Sequence, residues 1–171
     1  MPNVRPQETS RLVAFGCSTL LVLVPLVYWT GLRDYALPPK LFILQAVVAL
    51  TFAACLVIRA ETISLPSLGL PACTYVLLNS SSVLYAADPV VGLHELNKML
   101  SGFLFFLLVA NWLRPHHFPH ILTVGAACGI LTSLVGISEW LWWRPFDIPS
   151  AGLPSAMFGY RNLAAMYLIQ S

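Results

Sequence analysis

Residues 41–58 read LFILQAVVALTFAACLVI, and this stretch determines which kind of fold the chain can adopt. Gln45 is its only strongly polar member, and it contains no charged residue. A helix needs about 20 mostly apolar residues to cross the hydrocarbon of a bilayer, because each residue advances it by about 1.5 Å. The stretch therefore predicts a transmembrane helix.

The rest of the chain repeats this pattern between short connections rich in Pro and Gly. The sequence predicts an all-α, polytopic transmembrane helical bundle with five full spans and a truncated sixth that begins near Leu163. We expect residues 1–171 to form a single transmembrane domain, the N-terminal half of a larger protein. The other four full spans are predicted at Leu12–Trp29, Leu68–Ala87, Leu96–Leu113 and Ile121–Trp143.

The composition supports a lipid environment and excludes several functions. Hydrophobic residues make up 58% of the chain and charged residues 9%, against roughly 25% charged residues in a typical soluble domain. The net charge of +2 comes without a basic cluster, so no nucleic-acid partner is expected. The sequence also lacks the glycine-rich phosphate loops and the hydrolase motifs of nucleotide-dependent and hydrolytic enzymes.

Metal and cofactor sites are not expected either. The four cysteines lie inside apolar runs without a CxxC pair, which indicates buried free thiols. His116, His117 and His120 have a spacing found in metal sites, but Pro115 and Pro119 interrupt a regular helix there. We therefore predict no metal and no cofactor.

Several polar and small residues inside the spans leave alternatives open. Asn79–Ser82 can line a polar path or form hydrogen bonds to neighbouring helices. Glu139 can be solvated at the interface, or it can pair with Arg144 or with an acceptor. Gly125 and Gly129 begin a small-residue stripe that favours packing within the bundle over dimerisation. The tryptophans fall near predicted span ends, as in an aromatic belt (Trp29, Trp112, Trp140, Trp142 and Trp143).

Two connections carry the chemistry of a candidate anion site. Gly159 permits a close backbone approach, and Asn162 suits the start of the following helix. Arg161 lies beside that helix N-terminus, where backbone N–H groups and a guanidinium together can bind a phosphate or pyrophosphate. The alternative is a capped helix with an interfacial arginine. In the first connection, Pro39 suits a helix start and places Lys40 at the interface, either as an anion ligand or as part of a rigid turn.

These two connections resemble motifs of the O-antigen ligase and polymerase superfamily. Asp34 followed by Pro39–Lys40 before the second span is similar to its first element. Phe158–Asn162, followed by Ala165, is similar to its second element, which usually reads Phe-Gly-Asn-x-Asn. Tyr160 replaces the first Asn of that element. The resemblance covers the whole chain in hydropathy and these two motifs in detail.

The resemblance implies a bacterial inner-membrane enzyme with a glycosyltransferase-C-like bundle and a cytoplasmic N-terminus, an orientation that the distribution of cations does not determine. Such enzymes transfer a glycan from an undecaprenyl-pyrophosphate carrier to lipid A-core, to another glycan or to a protein, without a metal. Key His and Arg residues lie in a later periplasmic loop, so we expect this chain alone to be inactive. The implied substrate-binding residues are Arg161, Asn162, Gly159, Lys40 and Arg33.

A second interpretation needs no covalent chemistry. Pro71 and the polar run from Asn79 to Ser82 interrupt the third predicted span. Short or interrupted spans occur in transporters, where they form the substrate site. A polytopic transporter or flippase component is therefore the alternative.

Overall fold

The computed structural model describes residues 5–27, 37–58, 63–141 and 143, which are almost entirely helical and contain no β-strand. The described α-helices are α1 (Arg5–Leu26), α2 (Leu37–Ile58), α3 (Gly69–Ser82), α4 (Pro89–Trp112) and α5 (Phe118–Trp140). One 3₁₀ turn, Val83–Tyr85, follows α3, and another, Pro115–His117, precedes α5. The all-α prediction is confirmed.

Four of these helices (α1, α2, α4 and α5) are long and apolar enough to cross a membrane. The third predicted span, residues 68–87, is shorter in the structure than expected. Its helix α3 has 14 residues, or about 21 Å against a hydrocarbon thickness of about 30 Å. The serine hydroxyls of Ser81 and Ser82 donate to carbonyls three residues earlier, and the chain then tightens into the 3₁₀ turn.

The predicted boundary of the fourth span is wrong by about two turns. Residues 88–95 were expected to form a connection, but α4 begins at Pro89. The Asp88 carboxylate accepts hydrogen bonds from the backbone N–H groups of Val90 and Val91, at 2.9 and 3.3 Å. An aspartate before a proline is a strong helix-start signal, because the side chain caps the first N–H groups and proline has none to satisfy.

The start of the first helix also differs from its prediction. Helix α1 begins at Arg5 rather than at Leu12. Thr9 and Ser10 are fully buried, so these polar residues are enclosed by protein and do not meet lipid. Such residues can therefore extend a membrane helix beyond the apolar run that marks it in the sequence.

The chain divides into two compact units, and unit 1 comprises residues 1–16 and 45–115. Within it, α3 and α4 form an antiparallel hairpin. The Asn111 side-chain oxygen near the end of α4 accepts hydrogen bonds from the backbone N–H and the hydroxyl of Ser64, both at 2.9 Å. Because Ser64 precedes α3, these bonds hold the start of α3 beside the end of α4.

The end of α4 also packs against the first two helices of unit 1. The Arg114 backbone N–H donates to the Ser10 hydroxyl at 3.1 Å. Trp112 is buried and meets the Phe52 ring edge-on, with the ring centroids 5.6 Å apart. Trp112 is therefore a packing residue, and its assignment to the aromatic belt is wrong, whereas Trp140 and Trp143 are exposed as that assignment requires.

The polar run of α3 forms its hydrogen bonds within its own helix rather than to neighbouring helices. The Asn79 amide nitrogen donates to the Tyr75 carbonyl, and the Ser80 hydroxyl donates to the Val76 carbonyl. Ser81 and Ser82 also bond to carbonyls of their own helix. The run thus satisfies its hydrogen bonds locally, which is a low-cost solution in lipid.

Close helix packing in unit 1 depends on Gly16 of α1. A Cβ atom added to Gly16 would lie 2.8 Å from Oγ1 and 3.3 Å from Cγ2 of Thr51 on α2. Threonine is stiff about its first side-chain torsion, so it cannot easily move aside. Only glycine allows α1 and α2 to approach each other this closely.

Unit 2 comprises residues 17–44 and 116–171. In it, the small-residue stripe of α5 lies against protein, because Gly125, Gly129 and Thr132 are all buried. A Cβ atom added to Gly125 would make an ordinary contact, 3.7 Å from a Leu21 methyl group of α1. Packing of this stripe within the chain is confirmed.

We expect Gly16→Ala to be less stable than Gly102→Ala by about 1–3 kcal/mol, the usual cost of overpacking. Both changes gain helix propensity, but nothing lies within 4 Å of a Cβ at Gly102. Unfolding in detergent by heat or by a denaturing surfactant measures the difference. The double variant Gly16→Ala/Thr51→Ala should recover most of the loss, and equal stability of the two single variants would contradict the packing.

We expect Asp88→Ala to destabilise the α3–α4 hairpin by about 1 kcal/mol, because it removes the cap of α4. Asp88→Asn is the matched control, since asparagine caps a helix about as well as aspartate. Hydrogen exchange of the amides of Val90 and Val91 reports the change locally. Unaltered exchange in the alanine variant would show that the cap does not hold this helix end.

Candidate functional site

Of the five predicted substrate-binding residues, the structure describes Lys40. Arg33, Gly159, Arg161 and Asn162 lie outside the described residues, as do the predicted sixth span and Arg144. The anion site predicted around Arg161 therefore stays a prediction. The structure adds the surroundings of Lys40 and of a second ionisable residue, Glu139.

Lys40 lies in the first turn of α2, as its two preceding prolines predict. The helix begins at Leu37, with Pro38 and Pro39 in the first turn, where their missing N–H groups cost nothing. The sequence suggested an interfacial side chain, but only 8% of Lys40 is exposed. Its ammonium group therefore lies within the protein, and lysine is almost never buried unless a polar environment compensates its charge.

Glu139 lies in the last turn of α5 and is 5% exposed. Its interpretation as a solvated interfacial carboxylate is therefore wrong. The turn closes just beyond it, where the N–H of Leu141 bonds to the carbonyl of Ile137 and the N–H of Trp143 to that of Ser138, each at 3.0 Å. These bonds satisfy backbone carbonyls at the helix end and fix the position of Glu139.

Each of these two side chains, when ionised, has a charge of the same sign as the partial charge at its end of the helix. The N-terminus of a helix is its positive end, which disfavours Lys40, and the C-terminus is its negative end, which disfavours Glu139. Both residues belong to unit 2, and burial adds to the cost of each charge. Ionisable residues kept under such conditions in membrane helices mark functional sites by default. Chemically, Lys40 can bind an anion, and Glu139 can accept a proton or bind a cation.

The histidines and cysteines of the described segments form no metal site. The rings of His116 and His117 lie 3.9 Å apart, centroid to centroid, yet no group of three or more His, Cys, Asp or Glu side chains in these segments could hold a metal ion. Cys17 and Cys55 are buried free thiols, and Cys73 and Cys128 are partly buried.

The chain matches no protein-family model, no curated protein and no solved structure.

The sequence alone does not reveal the burial of Glu139 or the bonds between Ser64 and Asn111. A carboxylate near a span end has the same sequence signature whether it faces water or protein. Ser64 and Asn111 are 47 positions apart, and no local pattern relates them. The ion pair between Glu95 and Lys98 could be predicted from their spacing, and the structure forms it.

Lys40 and Lys98 are the two lysines of the chain, which permits an internal comparison of burial. In the folded protein we expect an amine-acylating reagent to modify Lys40 more slowly than Lys98, because the Lys98 side chain is 25% exposed and Lys40 is buried. Peptide mass spectrometry after timed labelling measures both rates. In denaturing surfactant the two rates should converge; equal rates in the folded state would contradict the burial of Lys40.

Proposed function

We propose that this chain belongs to a bacterial inner-membrane enzyme of the O-antigen ligase and polymerase type. The enzyme would transfer a glycan from undecaprenyl pyrophosphate to an acceptor: lipid A-core, a growing glycan or a protein. The observation that carries the proposal is the burial of Lys40 in the first turn of α2. This lysine occupies the Pro-Lys position of the first motif, and a buried cation at a span end suits an anionic donor group.

The α3–α4 hairpin supports a common membrane face for the two motifs. Together, α3 and its 3₁₀ turn cover 14 and 3 residues, or about 27 Å along the axis, close to the hydrocarbon thickness of about 30 Å. If this arm crosses, four crossings separate Lys40 from Arg161, so both residues face the same side. With a cytoplasmic N-terminus that side is the periplasm, where we place the donor.

The proposed reaction is a displacement at the anomeric carbon of the donor sugar. An acceptor hydroxyl oxygen forms the new bond to this carbon, and the bond from the carbon to the pyrophosphate oxygen breaks. The leaving pyrophosphate takes the bonding electrons, and the hydroxyl proton passes to a general base. Fixed cations would stabilise the charge that develops on the pyrophosphate.

Individual roles follow from the chemistry of each side chain. Arg161 can hold two pyrophosphate oxygens at once through its planar guanidinium group. Lys40 and Arg33 add positive charge on the same face, and Lys40 acts as a point charge from within the protein. In the proposed site, Gly159 would let the backbone approach the donor, and Asn162 would cap a helix whose N-terminus faces it.

In the intact enzyme, we expect Arg161→Ala to lower glycan transfer by at least about tenfold, in the range of losses for a single transition-state contact, at an unchanged protein level. Transfer of a labelled glycan from the lipid-linked donor, in membranes with equal amounts of enzyme, measures this. Glycan transfer by Arg161→Lys should lie between that of the unaltered enzyme and that of Arg161→Ala, since lysine keeps the charge and loses the second contact.

Arg114→Ala is the control for the general loss of a cation. Its side chain is exposed and lies at the end of α4 away from the proposed donor face, so transfer should stay at the level of the unaltered enzyme. Normal transfer by Arg161→Ala would refute the assignment of Arg161.

A transporter or flippase component is the second candidate, and the short helix α3 with its 3₁₀ end favours it. The two functions differ in their product. A transferase joins the glycan covalently to the acceptor, whereas a flippase moves the lipid-linked glycan across the bilayer unchanged.

A further inference from the structure

Unit 1 contains an open groove between α3 and α4, with a volume of about 330 Å³. This volume lies at the lower end of the range for small-molecule pockets, roughly 300–1,000 Å³. The groove lies along α4, a helix long and apolar enough to cross a membrane. The α3–α4 groove is lined by Ala72, Tyr75 and Val76 on α3 and by Met99, Gly102, Phe103 and Phe106 on α4.

Gly102 forms the floor of the groove. It is exposed, and apart from its chain neighbours and the adjacent backbone of its own helix, no heavy atom of the described residues lies within 4 Å of the place where a Cβ would be. This glycine is therefore not required by helix packing, in contrast to Gly16. Beside it, the rings of Phe103 and Phe106 stack at 28° with their centroids 6.4 Å apart. The part of the groove beside Gly102, here called the slot, therefore has apolar side chains along its walls and open space above Gly102.

A pair of opposite charges lies at one end of this slot. Glu95 precedes Met99 by four residues, so it shares the helix face that lines the groove. The Lys98 ammonium group binds the Glu95 carboxylate at 2.5 Å, and the Glu95 side chain is 59% exposed. Helical side chains lean toward the helix N-terminus, so both charges lie beyond the apolar slot on the side where α4 begins.

We propose that the α3–α4 groove binds a zwitterionic phospholipid with a primary amine, with one acyl chain in the slot and the head group on the Glu95–Lys98 pair. The lipid phosphate would receive hydrogen bonds from Lys98, and the lipid amine would donate to Glu95. An anionic lipid without an amine would satisfy Lys98 but would place its phosphate beside the Glu95 carboxylate, which repels it. The proposal concerns a bound lipid and does not depend on the proposed transferase activity.

Photo-crosslinking in vesicles tests both halves of the site. The full chain is reconstituted in phosphatidylcholine vesicles with a small fraction of phosphatidylethanolamine that carries a photoreactive acyl chain. Mass spectrometry then locates the label. We expect label on the α3 and α4 residues that line the slot, and less label there from phosphatidylglycerol or diacylglycerol with the same acyl chain.

Two substitutions separate the slot from the head-group site. Gly102→Leu should lower labelling of the slot about tenfold, a loss of roughly 1.4 kcal/mol in binding, because the leucine side chain occupies space that the acyl chain would fill. Ala110→Leu, at an exposed position of α4 outside the groove, should label like the unaltered chain. Glu95→Gln should leave the slot labelled and abolish the preference for phosphatidylethanolamine over phosphatidylglycerol.

Three results would overturn the proposal. One is labelling of the slot that Gly102→Leu does not lower, and another is equal labelling by all three lipids in the unaltered chain. The third is labelling of the slot that falls as the ratio of protein to lipid rises, which would make the groove a packing surface between copies of the chain. Because Gly102→Leu adds helix propensity and its Cβ has open space, we expect the variant to fold, and its unfolding temperature checks this before the comparison.

Discussion

Within the hydrocarbon of a bilayer, each peptide N–H and C=O group needs a partner inside the protein, and this constraint shapes the whole chain. Helices meet it for the backbone. Several polar side chains of the described helices meet it in the same way, by donating to carbonyls one turn earlier on their own helix, as Ser80, Ser101 and Thr123 do. Two features go beyond such local bonds: Ser64 and Asn111 bond between segments, and Lys40 and Glu139 are ionisable side chains buried within the protein.

Local chemistry made the helical class and part of the helix boundaries predictable from the sequence. Long apolar runs lead to helices, Pro38 and Pro39 lead to the start of α2, and Asp88 before Pro89 carries a start signal that the apolar pattern concealed. Features that depend on distant contacts were not predictable. Thr9 and Ser10 extend α1 because other parts of unit 1 bury them. Trp112 is buried because its ring packs against Phe52.

The candidate site was less accessible to sequence reasoning than the fold. The motif around Lys40 identified the residue and its place at a helix start, but its burial is a tertiary property. The same holds for Glu139, where one sequence signature fits both a solvated and an enclosed carboxylate. Both residues oppose the dipole of their own helix, and natural sequences accept such local conflicts mainly where function requires them.

The bonds between Ser64 and Asn111 also bear on how the protein enters the membrane. Helix α3 is short and carries a polar run, so on its own it gains little free energy from leaving water for lipid. Its partner α4 is longer and more apolar. Held together at their open end by Asn111, the two arms can partition from the translocation channel into lipid as one helical hairpin. The favourable free energy of transferring α4 from water to lipid then compensates for the small gain from α3. Insertion of the earlier helix therefore depends on the later one.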